Sequence, residues 1–247
     1  MKISVILPAY NEADNLPKLI SDLSKTLKRT KNPYQILIID DGSSDETFKL
    51  SRKYKKNSGV RFIRHPVNKG LGAAMNTGFK DILKNAKNDN LIIAMDADNT
   101  MEVAAITKII DNFKQDYDLI LASRFAPGGG DRGIPYFRKI LSHQAGRIFQ
   151  LIFPIPGVRE YTCSYRGYRA ALLKKAYSYY GDRFIREKGF NCMLEILLKL
   201  ARFSPKIVEV PFTLFYDRKK GKSKMNVKKT LFRYLEIFVN RRRFAEK

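Results

Sequence analysis

Leu91-Ile-Ile-Ala-Met-Asp-Ala-Asp-Asn-Thr100 runs five apolar residues straight into two carboxylates spaced i, i+2. A short, unbroken apolar run that ends in polar turn residues reads as a strand covered on both faces. The runs Ile3 to Leu7, Ile36 to Ile39, Val60 to Ile63 and Leu119 to Ala122 have the same character. Between them lie stretches with helical spacing, such as Leu16, Leu19, Ile20, Leu23 and Leu27. The first 125 residues are therefore expected to fold as βαβαβαβαβ, an α/β arrangement with a mostly parallel central sheet and helices on both faces.

The second half is less regular. The pattern predicts a helix from Tyr136 to Phe153, a break at Pro154 and Pro156, a helix from Gly189 to Phe203 and a strand from Lys206 to Phe215. A basic loop, Asp217-Arg-Lys-Lys-Gly-Lys-Ser-Lys224, follows. We expect one domain over residues 1–224 and a basic amphipathic tail over residues 225–247.

The chain has 247 residues with 47 Lys and Arg against 24 Asp and Glu, a formal net charge of +23. Residues 1–100 contribute +6 of this and residues 101–247 contribute +17. Such an excess attracts phosphate-rich partners: nucleic acid, an anionic membrane surface or phosphorylated small molecules. Cys163 and Cys192 stand 29 positions apart without paired ligands, which argues against a disulfide scaffold or a zinc site. No window approaches 18 uninterrupted apolar residues, and the run before Pro8 is too short for a signal peptide. A protein of the cytosol or of a membrane surface is expected.

In an open sheet of this kind, ligands bind beyond the carboxyl ends of the strands. Those tails read Pro8-Ala-Tyr-Asn-Glu12, Asp40-Asp-Gly-Ser-Ser-Asp45, Asp96-Ala-Asp-Asn99 and Ser123-Arg124. In extended chain, residues i and i+2 point the same way, so Asp96 and Asp98 can face one point. Two like charges there repel unless a cation lies between them, and oxygen ligands suit Mg²⁺ or Mn²⁺. The plainer alternative is that Asp98 and Thr100 cap a helix starting near Glu102. Glu12 and Asp41 can accept hydrogen bonds from a base or ribose, and Tyr10 offers a flat face for stacking. Capping by Asn11 and Asp14 and a tight turn at Asp41-Gly42 are the structural alternatives. Across the pocket, Arg218 and Lys224 are the candidates for closing on phosphates, with Lys219 and Lys220 read as solvated surface. Gly70-Leu-Gly72 could receive a phosphate at a helix N-terminus, though a plain turn accounts for it as well.

Pro8-Ala-Tyr-Asn-Glu12, Ile38-Ile-Asp-Asp-Gly-Ser-Ser-Asp45, Asn68-Lys-Gly-Leu-Gly-Ala-Ala-Met-Asn-Thr-Gly78, Met95-Asp-Ala-Asp98, Ala122-Ser-Arg124, Glu209-Val-Pro211 and Arg218-x-x-Gly-x-Ser-Lys224 occur in that order. Together they resemble the family 2 inverting glycosyltransferases of GT-A (Rossmann-like) fold, in their polyprenyl or dolichyl phosphate mannosyltransferase and glucosyltransferase branch. The resemblance implies that Pro8, Tyr10, Glu12, Ile39 and Asp41 hold the base and ribose of a nucleotide sugar. It assigns Asp96, Ala97 and Asp98 to the metal and diphosphate, with Asp96 and Asp98 as metal ligands to Mg²⁺ or Mn²⁺. It makes Arg124, Arg138 and Ser142 the acceptor-phosphate site, and Arg218 and Lys224 the loop that closes on the donor. Asp98, Arg124 and Arg138 would carry the chemistry. Two departures stand out: Asn99-Thr-Met-Glu102 after the paired aspartates, and Glu160 where relatives usually have Asp.

The reaction so implied is attack of an isoprenoid phosphate on the anomeric carbon of a nucleotide sugar, with inversion. An acceptor that is already anionic needs no strong general base, which suits a chain whose only histidines are His65 and His143, expected in surface or structural roles. For the membrane, Phe137, Ile140, Leu141, Ile148 and Phe149 lie beside Arg138, Lys139 and Arg147, and Leu231, Phe232, Leu235, Phe238 and Val239 beside Lys228, Lys229 and Arg233. Both segments read as basic amphipathic helices for an anionic surface, or as helices packed on the core. The expected place is the cytoplasmic face of a membrane, as a peripheral protein, with a separate membrane subunit left open. Two other readings compete: transfer to a glycan or other hydroxyl, and a non-catalytic nucleic-acid binder. The latter is opposed by the acidic tails and by the lack of a nucleic-acid motif.

Overall fold

The computed structural model describes residues 1–54, 59–219, 234 and 236, and in one helix omits the side chains of residues 137, 138, 140, 141 and 143. The first half alternates as expected: β1 (Ile3–Ala9), α1 (Leu16–Arg29), β2 (Tyr34–Asp40), α2 (Leu50–Tyr54), β3 (Val60–Arg64), α3 (Leu71–Leu83), β4 (Leu91–Ala94), α4 (Ala105–Lys114) and β5 (Leu119–Ser123). The second half adds β6 (Gly130–Arg132), α5 (Tyr136–Ile152), β7 (Arg166–Arg169), α6 (Ala170–Tyr180) and α7 (Cys192–Ala201). The last strands among the described residues are β8 (Ile207–Pro211) and β9 (Thr213–Phe215).

Seven strands form the central sheet in the order β3-β2-β1-β4-β7-β5-β8. β7 runs antiparallel to both β4 and β5, and the other neighbours are parallel. Because strand side chains alternate faces, each strand feeds two cores. Ile6, Leu37 and Ile92 pack with α3, α6 and α7 through Phe79, Leu173 and Leu197. Val5, Ile38 and Ile93 pack with α1 and α4 through Leu19, Leu23 and Ile106. Gly78 in α3 lets that helix lie against β1, since a Cβ there would come within 2.6 Å of Ile6 Cγ2.

Three expectations change. β7 was missed because Arg166-Gly-Tyr-Arg169 has no apolar run. Its Arg166 is fully buried and donates to the carbonyls of Met193 and Tyr161, both at 2.7 Å. The strand expected from Lys206 to Phe215 is two strands in two sheets: β8 joins β5, while β9 pairs with β6 in a separate two-stranded sheet. α4 begins at Ala105, three residues after Glu102, with no side chain capping it. The tail over residues 225–247 lies outside the described residues except Tyr234 and Glu236; the Tyr234 ring meets Phe149 edge-on at 4.8 Å.

Candidate active site

The exit of β4 makes the acidic floor. Asp96 accepts a 2.6 Å hydrogen bond from Ser164 Oγ, on the segment leading into β7. Asn99 takes a left-handed conformation (φ 61) and turns the chain back over the carboxylates. Thr100 then donates its backbone N–H (3.2 Å) and its hydroxyl (2.7 Å) to Asp98 Oδ1, so Thr100 braces Asp98 and does not cap α4. The other oxygen, Asp98 Oδ2, lies 2.6 Å from the ammonium of Lys219. Lys219 is thus not the solvated surface charge expected from the sequence. Burial opposes its charge most strongly, but Asp98, Asp96 and Glu12 together outweigh burial and its pKa lies above the ordinary lysine value. Burial and then the Asp98 charge raise the Asp96 pKa to about 7.

The tails of β1 and β2 are stitched together beside this floor. Asn11, at φ 54, accepts from the N–H groups of Ser44 and Asp45, and does not cap α1. Glu12 is buried, receives Asn15 Nδ2 at 2.6 Å, and has its own N–H on Thr47 Oγ1. Asp41 is buried as well: Oδ1 takes His65 Nδ1 at 2.6 Å and the Lys69 N–H, and Oδ2 takes the Gly70 N–H at 2.7 Å. A carboxylate oxygen has two lone pairs, so Oδ2 keeps one acceptor position for a ligand. His65 completes a bridge to Thr77 Oγ1 and is structural. Gly42 is obligatory here, because φ is +71 and a Cβ would fall 2.3 Å from the Val67 carbonyl carbon. Pro8 and Tyr10 are half-buried, whereas the Ile39 and Ala97 side chains are buried in the core. The Gly70 and Gly72 N–H groups, at the start of α3, are already used by Asp41 and the Lys188 carbonyl.

A basic centre lies at the exit of β5. Arg124 Nε donates to Glu160 Oε2 at 3.0 Å and Nη2 to Ser142 Oγ at 3.2 Å. Burial works against the Arg124 charge, yet the neighbouring anionic groups, Glu160 foremost, together outweigh it and raise the pKa. Glu160 is 1% exposed, and its Oε1 collects Thr162 N and Oγ1 and Cys163 N. The Glu209 carboxylate in turn takes the N–H groups of Arg159 and Glu160, both at 2.6 Å. Sequence reading missed this support, though Glu209 lay within a quoted motif. Arg138 sits on α5 four residues before Ser142, but its side chain is outside the described set, as is all of Lys224. Arg218 is exposed and stacks over Phe215, its guanidinium carbon 3.7 Å from the ring centroid.

Among the described residues no three His, Cys, Asp or Glu side chains converge as a metal-binding group. At the exit of β4 the carboxylates that could hold a cation are Asp96 and Asp98. Mg²⁺-type ions are commonly held by one or two carboxylates plus substrate phosphates and water. Burial first and the Asp98 charge second raise Asp96 to about 7, and a divalent ion between the two carboxylates would offset both, so the residues fit.

A family model described as Glycosyl transferase family 2 matches residues 4–177. The chain is 34% identical over 236 residues to a dolichol-phosphate mannosyltransferase of Pyrococcus furiosus, covering 95% of this chain but 62% of that protein. It is 30% identical over 237 residues to a polyprenol monophosphomannose synthase of Mycolicibacterium smegmatis, covering 94% of this chain and 85% of the relative. A crystal structure of glucosyl-3-phosphoglycerate synthase from Mycobacterium tuberculosis with Mn²⁺ and UDP-glucose matches with a TM-score of 0.67 at 17% identity, covering 100% of this chain and 80% of that one. At that identity the likeness shows the GT-A fold alone.

Proposed function

Because the chain belongs to glycosyltransferase family 2, we propose that it moves a sugar from a nucleotide sugar to a polyprenyl phosphate, inverting the anomeric carbon. The observation that carries this is one short segment: Glu160 holds Arg124 on one side while Ser164 holds Asp96 on the other. It joins an anionic floor suited to a cation and diphosphate to a cationic centre suited to a second phosphate. The names of the two relatives favour mannose as the sugar and a lipid phosphate as the acceptor.

In this reading Glu12 and the remaining lone pair of Asp41 accept from the base or ribose, with Pro8 and Tyr10 at the pocket wall. Asp96 and Asp98 would hold Mg²⁺ or Mn²⁺, which when bound neutralises charge developing on the leaving diphosphate. Arg124, with Ser142 and Arg138 from α5, holds the acceptor phosphate in line behind the anomeric carbon. A phosphate oxygen forms the new bond to that carbon as the bond to the diphosphate oxygen breaks. The nucleophile arrives ionised, so no side chain needs to take its proton. Arg218 and Lys224 are assigned to the donor phosphates, which Arg218 reaches by leaving its stacked place on Phe215.

The acceptor's lipid chain calls for a membrane surface. Tyr136 (79% exposed), Ile148 (45%) and Leu151 (83%) project from α5 beside the exposed Lys139 and Arg147, a face suited to the headgroup region. Phe149, expected on that face, instead packs in the core. No helix among the described residues is long and apolar enough to cross a membrane. The free thiols of Cys163 and Cys192 favour the reducing, cytoplasmic side.

The test is transfer from radiolabelled GDP-mannose and UDP-glucose into butanol-extractable lipid, with Mn²⁺ or Mg²⁺ and a polyprenyl phosphate. We expect a charged, acid-labile lipid product that Asp98→Ala abolishes and Arg124→Met lowers at least tenfold. Label reaching only a hydroxyl acceptor, at a rate indifferent to Arg124→Met, refutes the phosphate-acceptor reading.

A further inference from the structure

Lys219 falls between the two motif positions of the basic loop, and its placement is set by the sheet beside it. The Phe215 N–H donates to the Thr100 carbonyl at 2.8 Å, and the Thr213 N–H donates to Glu102 Oε2 at 3.0 Å. Leu214 and Met101 form an antiparallel bridge. β9 is thereby fixed in register against the residues that leave the paired aspartates. A single tight turn over Tyr216–Arg218, closed by the Lys219 N–H on the Tyr216 carbonyl, brings the next side chain back over Asp98. Arg218 points the other way, onto Phe215.

Asp98 Oδ1 is taken by Thr100, so Oδ2 is the oxygen Asp98 can offer a cation, and Lys219 is on it at 2.6 Å. The two side chains are only 15% and 12% exposed, and Asp96 and Glu12 also face the ammonium. A divalent ion on the same oxygen would lie within a few ångströms of that ammonium, where like charges in a half-buried site repel strongly. The two cations compete for one oxygen.

We propose that Lys219 is an internal counter-cation of the donor site: it neutralises Asp98 until a divalent ion takes that oxygen, and the displaced ammonium then binds the nucleotide's diphosphate. The proposal rests on the donor-site reading above. It makes metal binding an exchange of one cation for another and links that exchange to nucleotide capture, since the released lysine stays beside the same carboxylates.

The experiment measures Mn²⁺ binding to the full chain by electron paramagnetic resonance, without nucleotide, for wild type, Lys219→Met, Lys219→Arg and Asp98→Asn. GDP and UDP affinities are then measured at saturating Mn²⁺. We expect Lys219→Met to bind Mn²⁺ about tenfold more tightly, equivalent to ~1.4 kcal/mol. It should also bind the nucleoside diphosphate about tenfold more weakly, and Lys219→Arg should restore both towards wild type. Reactivity of the Lys219 amine towards acetic anhydride, read by peptide mass spectrometry, should rise with Mn²⁺ and fall again when diphosphate is added. Unchanged or weaker Mn²⁺ binding in Lys219→Met overturns the competition, and an unchanged diphosphate affinity overturns the delivery. If Asp98→Asn leaves Mn²⁺ affinity unaltered, the donor-site reading itself fails, which is a separate result.

Discussion

Glu160→Gln tests whether the basic centre is held by a buried ion pair. Gln keeps the size of the side chain and an oxygen that can still receive Thr162 and Cys163, so the change is confined to the edge facing Arg124. There a carboxylate that accepts from Nε at 3.0 Å becomes a neutral amide. Glu160 is 1% exposed and the Arg124 side chain 11%, so water cannot replace the lost charge. Removing one partner of such a pair leaves an uncompensated buried charge, at a cost of about 3 kcal/mol. For a chain of this size that is a fall in Tm of roughly 6–12 °C. Removing both charges with Arg124→Met/Glu160→Gln should cost less than the two single changes added together, by about 2 kcal/mol. Urea unfolding of the four proteins measures this directly. A Glu160→Gln protein within about 1 kcal/mol of wild type, with an additive double variant, would show that the pair is not what holds Arg124 in place.

Asp96 should leave a pH signature. Its native pKa of about 7 lies above the 3.8 of an ordinary aspartate, so between those values the native state holds a proton that the unfolded chain has lost. Stability from this group is full below about pH 4 and falls as pH rises through 7, so Asp96→Asn, in EDTA, should gain roughly 2 kcal/mol over wild type from pH 5 to pH 8. A pH-independent difference in thermal unfolding rejects this, and Mn²⁺ should narrow the gap at pH 8. Gly78→Ala should destabilise by about 2 kcal/mol in urea, because overpacking against Ile6 at 2.6 Å outweighs the better helix propensity of Ala. A neutral or stabilised variant means that α3 can move off β1.

The parallel half of the sheet could be read directly, because buried strands and amphipathic helices write opposite periods into the sequence: Ile36 to Ile39 against Leu16, Leu19, Leu23 and Leu27. The strand tails were legible for the same reason, since polar residues ending an apolar run mark where the chain leaves the core. What was hidden depended on contacts between distant parts. β7 has Arg166 where a buried strand should have an apolar residue, and the carbonyls of Tyr161 and Met193 help make that burial tolerable. Lys219 looked like one of several equivalent lysines until the register of β9 placed it on Asp98. The Asp41 carboxylate was read as an acceptor for a base or ribose, with a tight turn as the alternative, yet three protein donors converge on it from the His65 to Gly70 stretch, 24 to 29 residues away.

The antiparallel strand β7 explains how a chain so rich in positive charge keeps a negative floor. Inserting β7 between β4 and β5 forces the preceding segment to cross the ends of both strands, which sets Ser164 on Asp96 and Glu160 on Arg124. Two of the charges that the proposed reaction uses then have an opposite charge from elsewhere in the chain: Lys219 for Asp98 and Glu160 for Arg124. Burying unpaired ions would cost several kcal/mol apiece, so this pairing is what allows the pocket to be built before any ligand binds. A ligand then competes with a protein partner, and binding strength comes from the difference between two ion contacts. Such a site favours ligands of higher charge than the group they displace, a divalent cation over an ammonium. Monovalent ions at cellular concentration have no such advantage over Lys219.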